Sequence, residues 1–277
     1  MARVLVIQQV AHEGLGTFEA HFTRAGAELA FVKAYDAKAK WPVVGDFDGL
    51  VVMGGPQGAY EQAKYPYLTK EVDLLRAAVK AGKPVLGVCL GSQLLAATLG
   101  GTVSKNHTKE IGWHPVMREP GADGDPLWDA FGQTETVFQW HGDTFTLPKG
   151  AVQLASAPLC DQQAFRFGRV AYGIQFHLEV TEAMIRAWMI ANKAELAALK
   201  GVIDPAAIRA QIPQHLKRLE LLSRRVAAAF CALLSAPSAT ATRPATRPAA
   251  SQSAQSVRRP TRSTPTRSTA RATRQRK

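Results

Sequence analysis

Cysteine is scarce in this sequence: 277 residues hold three, Cys89, Cys160 and Cys231. An odd number at such wide spacing argues against a disulfide framework, and the lack of close ligand pairs argues against a zinc site. A reducing cytoplasm is the compartment this implies. Long apolar runs are missing too. The longest late run, VAAAFCALL at 226–234, has nine residues, where a membrane span needs about 20. The start, MARVLVIQQVAHEG, has one arginine and a very short apolar run. It reads as a first strand and poorly as a signal peptide. Acidic residues are absent from 236 onward, where ten of the 34 basic residues lie. The formal charge of +12 is therefore uneven, since the first 235 residues hold 24 basic against 22 acidic side chains. Beyond Leu234 the one large apolar residue is Val257. The segment 236–277, rich in Arg, Pro, Ser, Thr and Ala, is predicted to be a disordered basic tail. It lacks interleaved aromatics, which removes support for base stacking. Phosphate contact by its spaced arginines is the nucleic-acid reading left open, beside that of a solvated extension.

What is present is an alternation. RVLVIQQV (3–10), ELAFVKAY (28–35) and FDGLVVMGG (47–55) read as strands, with the helix-like LGTFEAHFTRAG (15–26) between the first two. YLTKEVDLLRAAVKAGK (67–83) places Val72, Leu75, Ala78 and Val79 at helical spacing and closes at Gly82. PVLGVC (84–89) is a buried strand, followed by a helix in SQLLAATLGG. This order predicts an α/β fold, a mostly parallel sheet with helices on both faces. After Gly101 come short strand-like runs that extend the sheet, partly antiparallel, or form a small side sheet. Helices follow at 182–199 and 204–234, the latter with a break or kink near Pro213. Residues 1–235 make one domain and the tail stands apart.

The cysteine at the corner of PVLGVCLGSQ carries chemistry if it carries any. A strand turning sharply into a helix presents its corner residue at the sheet's carboxyl edge, where open α/β sheets bind ligands. The helix N-terminus favours a thiolate and can hold a developing anion. Gly87 and Gly91, each two residues from Cys89, permit a strained turn of the nucleophile-elbow type. Plain packing of a buried cysteine is the alternative. A base is needed, and His177 stands at a strand end in YGIQFHLEV, with Glu179 two residues on to orient it. The N–H of Leu90 is one candidate oxyanion donor, and the glycine pair Gly54–Gly55 lets backbone approach a ligand closely. His12 and Glu13 lie on the same edge, as pocket lining or as loop.

Taken in order, MGGP, GVCLGSQ and GIQFHLE resemble a class I, triad-type glutamine amidotransferase domain, and in particular the stand-alone domains related to the glutaminase half of GMP synthase. KEIGWHPV and QWHGDTFTLP are similar to segments of that subgroup. The resemblance implies a flavodoxin-like fold and hydrolysis of glutamine's side-chain amide through a γ-glutamyl thioester. It implies Cys89 as nucleophile, His177 as base and Glu179 as its orienter. Gly55 and Leu90 become the oxyanion donors, and Gln93, His141 and Gly142 the substrate contacts. No metal and no organic cofactor is implied. One departure is Leu178, where the family commonly has proline between His and Glu. Another is the lack of any SGGxDS-like loop or Walker A lysine, so GMP synthesis by this chain alone is not expected. The partners implied are glutamine or another γ-glutamyl compound, and a separate synthase subunit to receive ammonia. A γ-glutamyl peptide or amide hydrolase with the same residues is the alternative activity.

Overall fold

In the first strand, β1 (Ala2–Gln8), successive side chains point to opposite faces, and both faces are dry. Val4 and Val6 enter one core with Phe18, Phe22 and Phe230, while Leu5 and Ile7 enter a second with Leu68, Leu75 and Leu94. A strand covered on both sides needs a helix on each face, and the chain supplies them. We obtained this arrangement from a computed structural model. It describes residues 1–235, and the predicted tail, 236–277, lies outside the described residues.

Helix α1 (Thr17–Arg24) leads to β2 (Ala27–Lys33), then β3 (Gly49–Val52), α2 (Tyr67–Lys80), β4 (Val85–Val88) and α3 (Leu90–Thr98). Five strands follow: β5 (Val103–Arg118), β6 (Thr134–Phe145), β7 (Ala151–Ser156), β8 (Ala164–Phe167) and β9 (Ala171–Ile174). Helices α4 (Glu182–Ala191), α5 (Lys193–Ala198) and α6 (Pro205–Leu234) complete the described residues. One nine-stranded sheet runs β2-β1-β3-β4-β9-β8-β7-β5-β6. Its first five strands pair in parallel, with Val6 level with Val51 and Leu86 level with Tyr172. From β9 outward the pairings are antiparallel. The late strands therefore extend the main sheet. The order 2-1-3-4 reverses direction between β1 and β3, and the carboxyl ends at such a switch point form a ligand crevice.

Three helices differ from their sequence patterns, and the first is the run expected as one helix at 182–199, which is interrupted at Asn192 and divides into α4 and α5. On α2 the buried residues are Leu68, Glu71, Leu74, Leu75 and Ala78, and Val72 and Val79 are only partly covered. A glutamate occupies the core face. Helix α6 runs unbroken through Pro213. Pro213 and Arg209 are exposed, so the carbonyl deprived of its partner can turn to water, while Ile208, Ile212 and Leu219 anchor the inner face. No helix among the described residues is long and apolar enough to cross a membrane.

Candidate active site

Cys89 sits between β4 and α3 with φ 51° and ψ −109°. Among the described residues it is the one non-glycine with positive φ, a conformation that costs about 1–3 kcal/mol and gathers at functional sites. The corner holds because its neighbours are small. A methyl on Gly91 would run into the Val52 carbonyl oxygen of β3, and one on Gly87 into the Gly91 carbonyl oxygen. Cys89 N–H donates to Ile174 O at 2.8 Å, and its carbonyl accepts from Ser92 Oγ at 2.7 Å. All three cysteines are free and buried. Cys231 packs in α6, where burial raises its thiol to about 11, and only Cys89 meets the cavity described next.

That cavity, about 720 Å³, opens at the carboxyl ends of the parallel strands and is lined by Gly55, Cys89, Gln93, His141, Gly142 and His177 among others. The backbone of His177 is set by its N–H donating to Phe138 O at 2.8 Å. Its ring lies edge-on to Trp188 at 4.8 Å between centroids, and its Nδ1 meets Glu179 Oε1 at 2.7 Å. Leu178, where the family commonly has proline, does not disturb this contact. Both side chains of the pair are almost fully buried. Burial alone opposes charge on the ring, yet Glu179 and Cys89 outweigh it and hold the His177 pKa well above its ordinary value. A carboxylate-backed imidazole beside a thiol on a helix N-terminus can exist as an imidazolium–thiolate pair.

The predicted substrate contacts converge from separate elements. Gln93, on the first turn of α3, donates to Asp143 O at 3.4 Å and to Gln175 Oε1 at 3.1 Å. His141 and Gly142 come from β6. Leu90 does not line the cavity; it is the first residue of α3, where backbone N–H groups have no intrahelical acceptor. His141 Nδ1 contacts Asp143 O at 2.9 Å and its Nε2 contacts Glu110 Oε2 at 2.9 Å, across the β5–β6 pair. Glu110, His141 and Cys160 form the one group among the described residues spaced for a metal ion, their ligand atoms within 4.8 Å of one another. Their polar atoms are already engaged, Glu110 by Gln163 at 2.7 Å and Cys160 by Thr144 at 3.2 Å. Burial also raises the Cys160 thiol away from thiolate. The group reads as a strut under the cavity wall.

Gln175 was missed by sequence reasoning. It is fully buried, and its Nε2 donates to Cys89 Sγ at 3.6 Å. The signal was available: Gln175 shares the strand alternation of Gly173 and His177 in a run otherwise apolar. An N–H aimed at sulfur favours the thiolate. Gln175→Glu replaces that donor with a carboxyl and is expected to slow both alkylation of Cys89 by iodoacetamide and turnover about tenfold at pH 7. The alkylation rate at fixed pH measures this, and an unchanged rate would refute it.

Glu71 is the buried carboxyl on the inner face of α2. Gln9 Nε2 donates to its Oε2 at 2.6 Å, while its Oε1 has no partner. Burial, opposed by the Gln9 bond, raises its pKa from 4.5 to about 8. The folded chain thus keeps a proton that the unfolded chain releases. This stability is whole below the unfolded pKa and drains as pH rises toward 8, by at most about 1.4 kcal/mol per unit. Glu71→Gln keeps the neutral form at every pH. Its Tm advantage over the wild type is expected to grow from pH 5 to pH 8, and a constant gap in thermal melts at the two pH values would count against the neutral Glu71.

The chain is similar to known proteins over most of its length. Residues 18–196 match the family model described as glutamine amidotransferase class-I. The chain is 33% identical over 202 residues to the glutamine amidotransferase-like protein YfeJ of Salmonella typhimurium, covering 72% of this chain and 84% of that one. It is 37% identical over 153 residues to the glutamine-hydrolysing GMP synthase of Leifsonia xyli, covering 54% of this chain and 28% of that protein. A solved glutamine amidotransferase of Thermotoga maritima superposes with a TM-score of 0.76 at 33% identity, over 85% of this chain and 99% of that one.

Proposed function

The chain belongs to the class-I glutamine amidotransferase family, and from that premise we propose that it hydrolyses the side-chain amide of glutamine to glutamate and ammonia through a thioester on Cys89. The observation that carries this reading is a nucleophile held at positive φ in the same cavity as a histidine bonded to Glu179 at 2.7 Å. The Cys89 thiolate attacks the amide carbon. The backbone N–H groups of Gly55 and Leu90 hold the oxyanion, each such donor contributing about 3 kcal/mol in comparable sites. His177 protonates the departing ammonia, which leaves a γ-glutamyl thioester. It then takes a proton from water, whose hydroxyl attacks the thioester and frees glutamate and the thiolate. Glu179 keeps the imidazole in its tautomer. Gln93 and the backbone near Gly142 hold the glutamine.

The cavity also favours a second reading. About 720 Å³ is room for a ligand well beyond a single amino acid, so a larger γ-glutamyl amide or peptide would fit and would form the same thioester. Ammonia passing to a separate synthase subunit is a third element of the proposal. The matched part of GMP synthase is 28% of that protein, and its whole activity is not assigned to this chain. The test is glutamate release by the purified chain from L-glutamine and from a γ-glutamyl dipeptide. Faster release from glutamine supports the glutaminase. Preference for the dipeptide transfers the activity to γ-glutamyl hydrolysis. Release from neither contradicts a self-sufficient hydrolase, and co-purification then tests for the synthase partner.

A further inference from the structure

Glu13 lines the cavity with Cys89 and His177, and no step above uses it. It belongs to the loop that leaves β1, and that loop is pinned on both flanks. Gln8 Nε2 donates to the Val10 and Ala11 carbonyls at 3.0 and 3.2 Å, and Trp188 Nε1 donates to His12 O at 2.9 Å. Thr17 N–H donates to Glu179 O at 2.8 Å, so the loop is tied to the segment that carries His177. The carboxylate faces the reaction chamber. A methyl on Gly54 would stand 3.0 Å from His177 Cε1, 3.1 Å from Glu13 Oε2 and 3.3 Å from Cys89 Cβ. Imidazole, carboxylate and nucleophile therefore surround one small space at the end of β3.

Charge sets Glu13 apart from the other acids of the cavity. Glu61 is paired with Lys64 at 3.6 Å, Asp143 with Lys105 at 3.8 Å, and Glu195 closely with Lys109. No lysine or arginine pairs with Glu13 among the described residues: His12 Nε2 is 3.7 Å away on a side chain 37% exposed, and the other cationic group facing it is His177 across the space at Gly54. The Glu13 side chain itself is 13% exposed. Burial raises its pKa to about 7, His177 draws it down and Glu179 pushes it up. A carboxyl held in this way gains from any positive charge brought against it.

Position says which charge that is. In the proposed hydrolysis the acyl part lies toward Gln93 and Gly142, and the departing nitrogen receives its proton from His177. Glu13 stands beside His177, so it faces what the departing nitrogen carries. Resting on the γ-glutamyl hydrolysis proposed above, we infer that Glu13 is a specificity-determining residue that reads the departing amine. The substrate class it selects is γ-glutamyl amides of diamines, whose second nitrogen is cationic, over γ-glutamyl amino acids, whose carboxylate it repels.

Three probes differ only in that end: γ-glutamyl 2-aminoethylamide, γ-glutamyl ethylamide and γ-glutamylglycine. Their binding is measured by calorimetry on the full chain carrying Cys89→Ala, with and without Glu13→Gln, so turnover does not enter. The cationic amide is expected to bind at least about tenfold more tightly than γ-glutamylglycine. Glu13→Gln is expected to close that gap to about threefold while moving the neutral ethylamide less than threefold. Equal binding of the three probes to Cys89→Ala, none included, would overturn the inference, and so would a gap that survives Glu13→Gln. Wild-type hydrolysis of the same probes separates the two claims. Turnover without a Glu13-dependent gap refutes this inference alone. A Glu13-dependent gap without turnover refutes the hydrolysis and leaves the charge reading standing.

Discussion

Cys89→Ala is expected to lower glutamate release from glutamine by at least about 10⁴-fold while the fold melts within a few degrees of the wild type. The size of the effect follows from the chemistry, since alanine leaves the substrate with no thiolate to meet and no thioester to form. The small structural cost follows from the corner. Cys89 is held at φ 51° by Gly87, Gly91 and the bond to Ile174, and alanine suffers the same backbone strain as cysteine. Glycine does not suffer it, so Cys89→Gly is expected to be as inactive and no less stable. Steady-state release and thermal melts of the two variants check both halves. A Cys89→Ala protein that unfolds would make this residue a packing cysteine, and one that turns over at the wild-type rate would remove it from the chemistry.

Gly91→Ala is expected to be the most damaging single methyl added to the site. It lies in the first turn of α3, facing β3, and the added Cβ would run into Val52 O, with Val52 C at 2.7 Å and Val52 Cβ at 3.1 Å. Those atoms are backbone or buried strand, so nothing flexible can yield, and α3 must lift away from the sheet. We expect a loss of about 3 kcal/mol, or roughly 6–12 °C in Tm, together with at least about 100-fold in turnover as the thiol leaves its place. Gly100→Ala is the control. Gly100 has φ 90° with nothing within 4 Å of the added methyl, so it carries backbone strain of about 1–2 kcal/mol and no collision. Similar melting losses for the two variants would refute the steric account.

The sequence was most informative where geometry is local. Glycines two residues either side of Cys89, and the two-residue step from His177 to Glu179, describe a corner and a strand end that need little tertiary context. Sheet order was less legible. Continuous apolar strands mark a parallel, doubly covered sheet, but the antiparallel run from β9 to β6 depends on pairings far apart in sequence. Glu71 was hidden because a carboxyl on an amphipathic helix ordinarily marks the wet face, and here a bond from Gln9 and a retained proton let it enter the core. Pro213 suggested a break or kink, and the break is absent because the exposed face of that turn, which the pattern does not mark, leaves the freed carbonyl open to water. Glu13 was visible as an edge residue, while its nearness to His177 comes from the pinning of its loop by Trp188 and Glu179.

The most direct measurement of the central claim is to mix the wild-type chain with isotope-labelled glutamine, quench in acid within the first turnovers, and map the label by peptide mass spectrometry. The account predicts a glutamyl adduct on the peptide containing Cys89, absent from Cys89→Ala, and lost when the quenched protein is treated with hydroxylamine. Glutamate release with no adduct at Cys89, or an adduct on Cys160 or Cys231 instead, would contradict it.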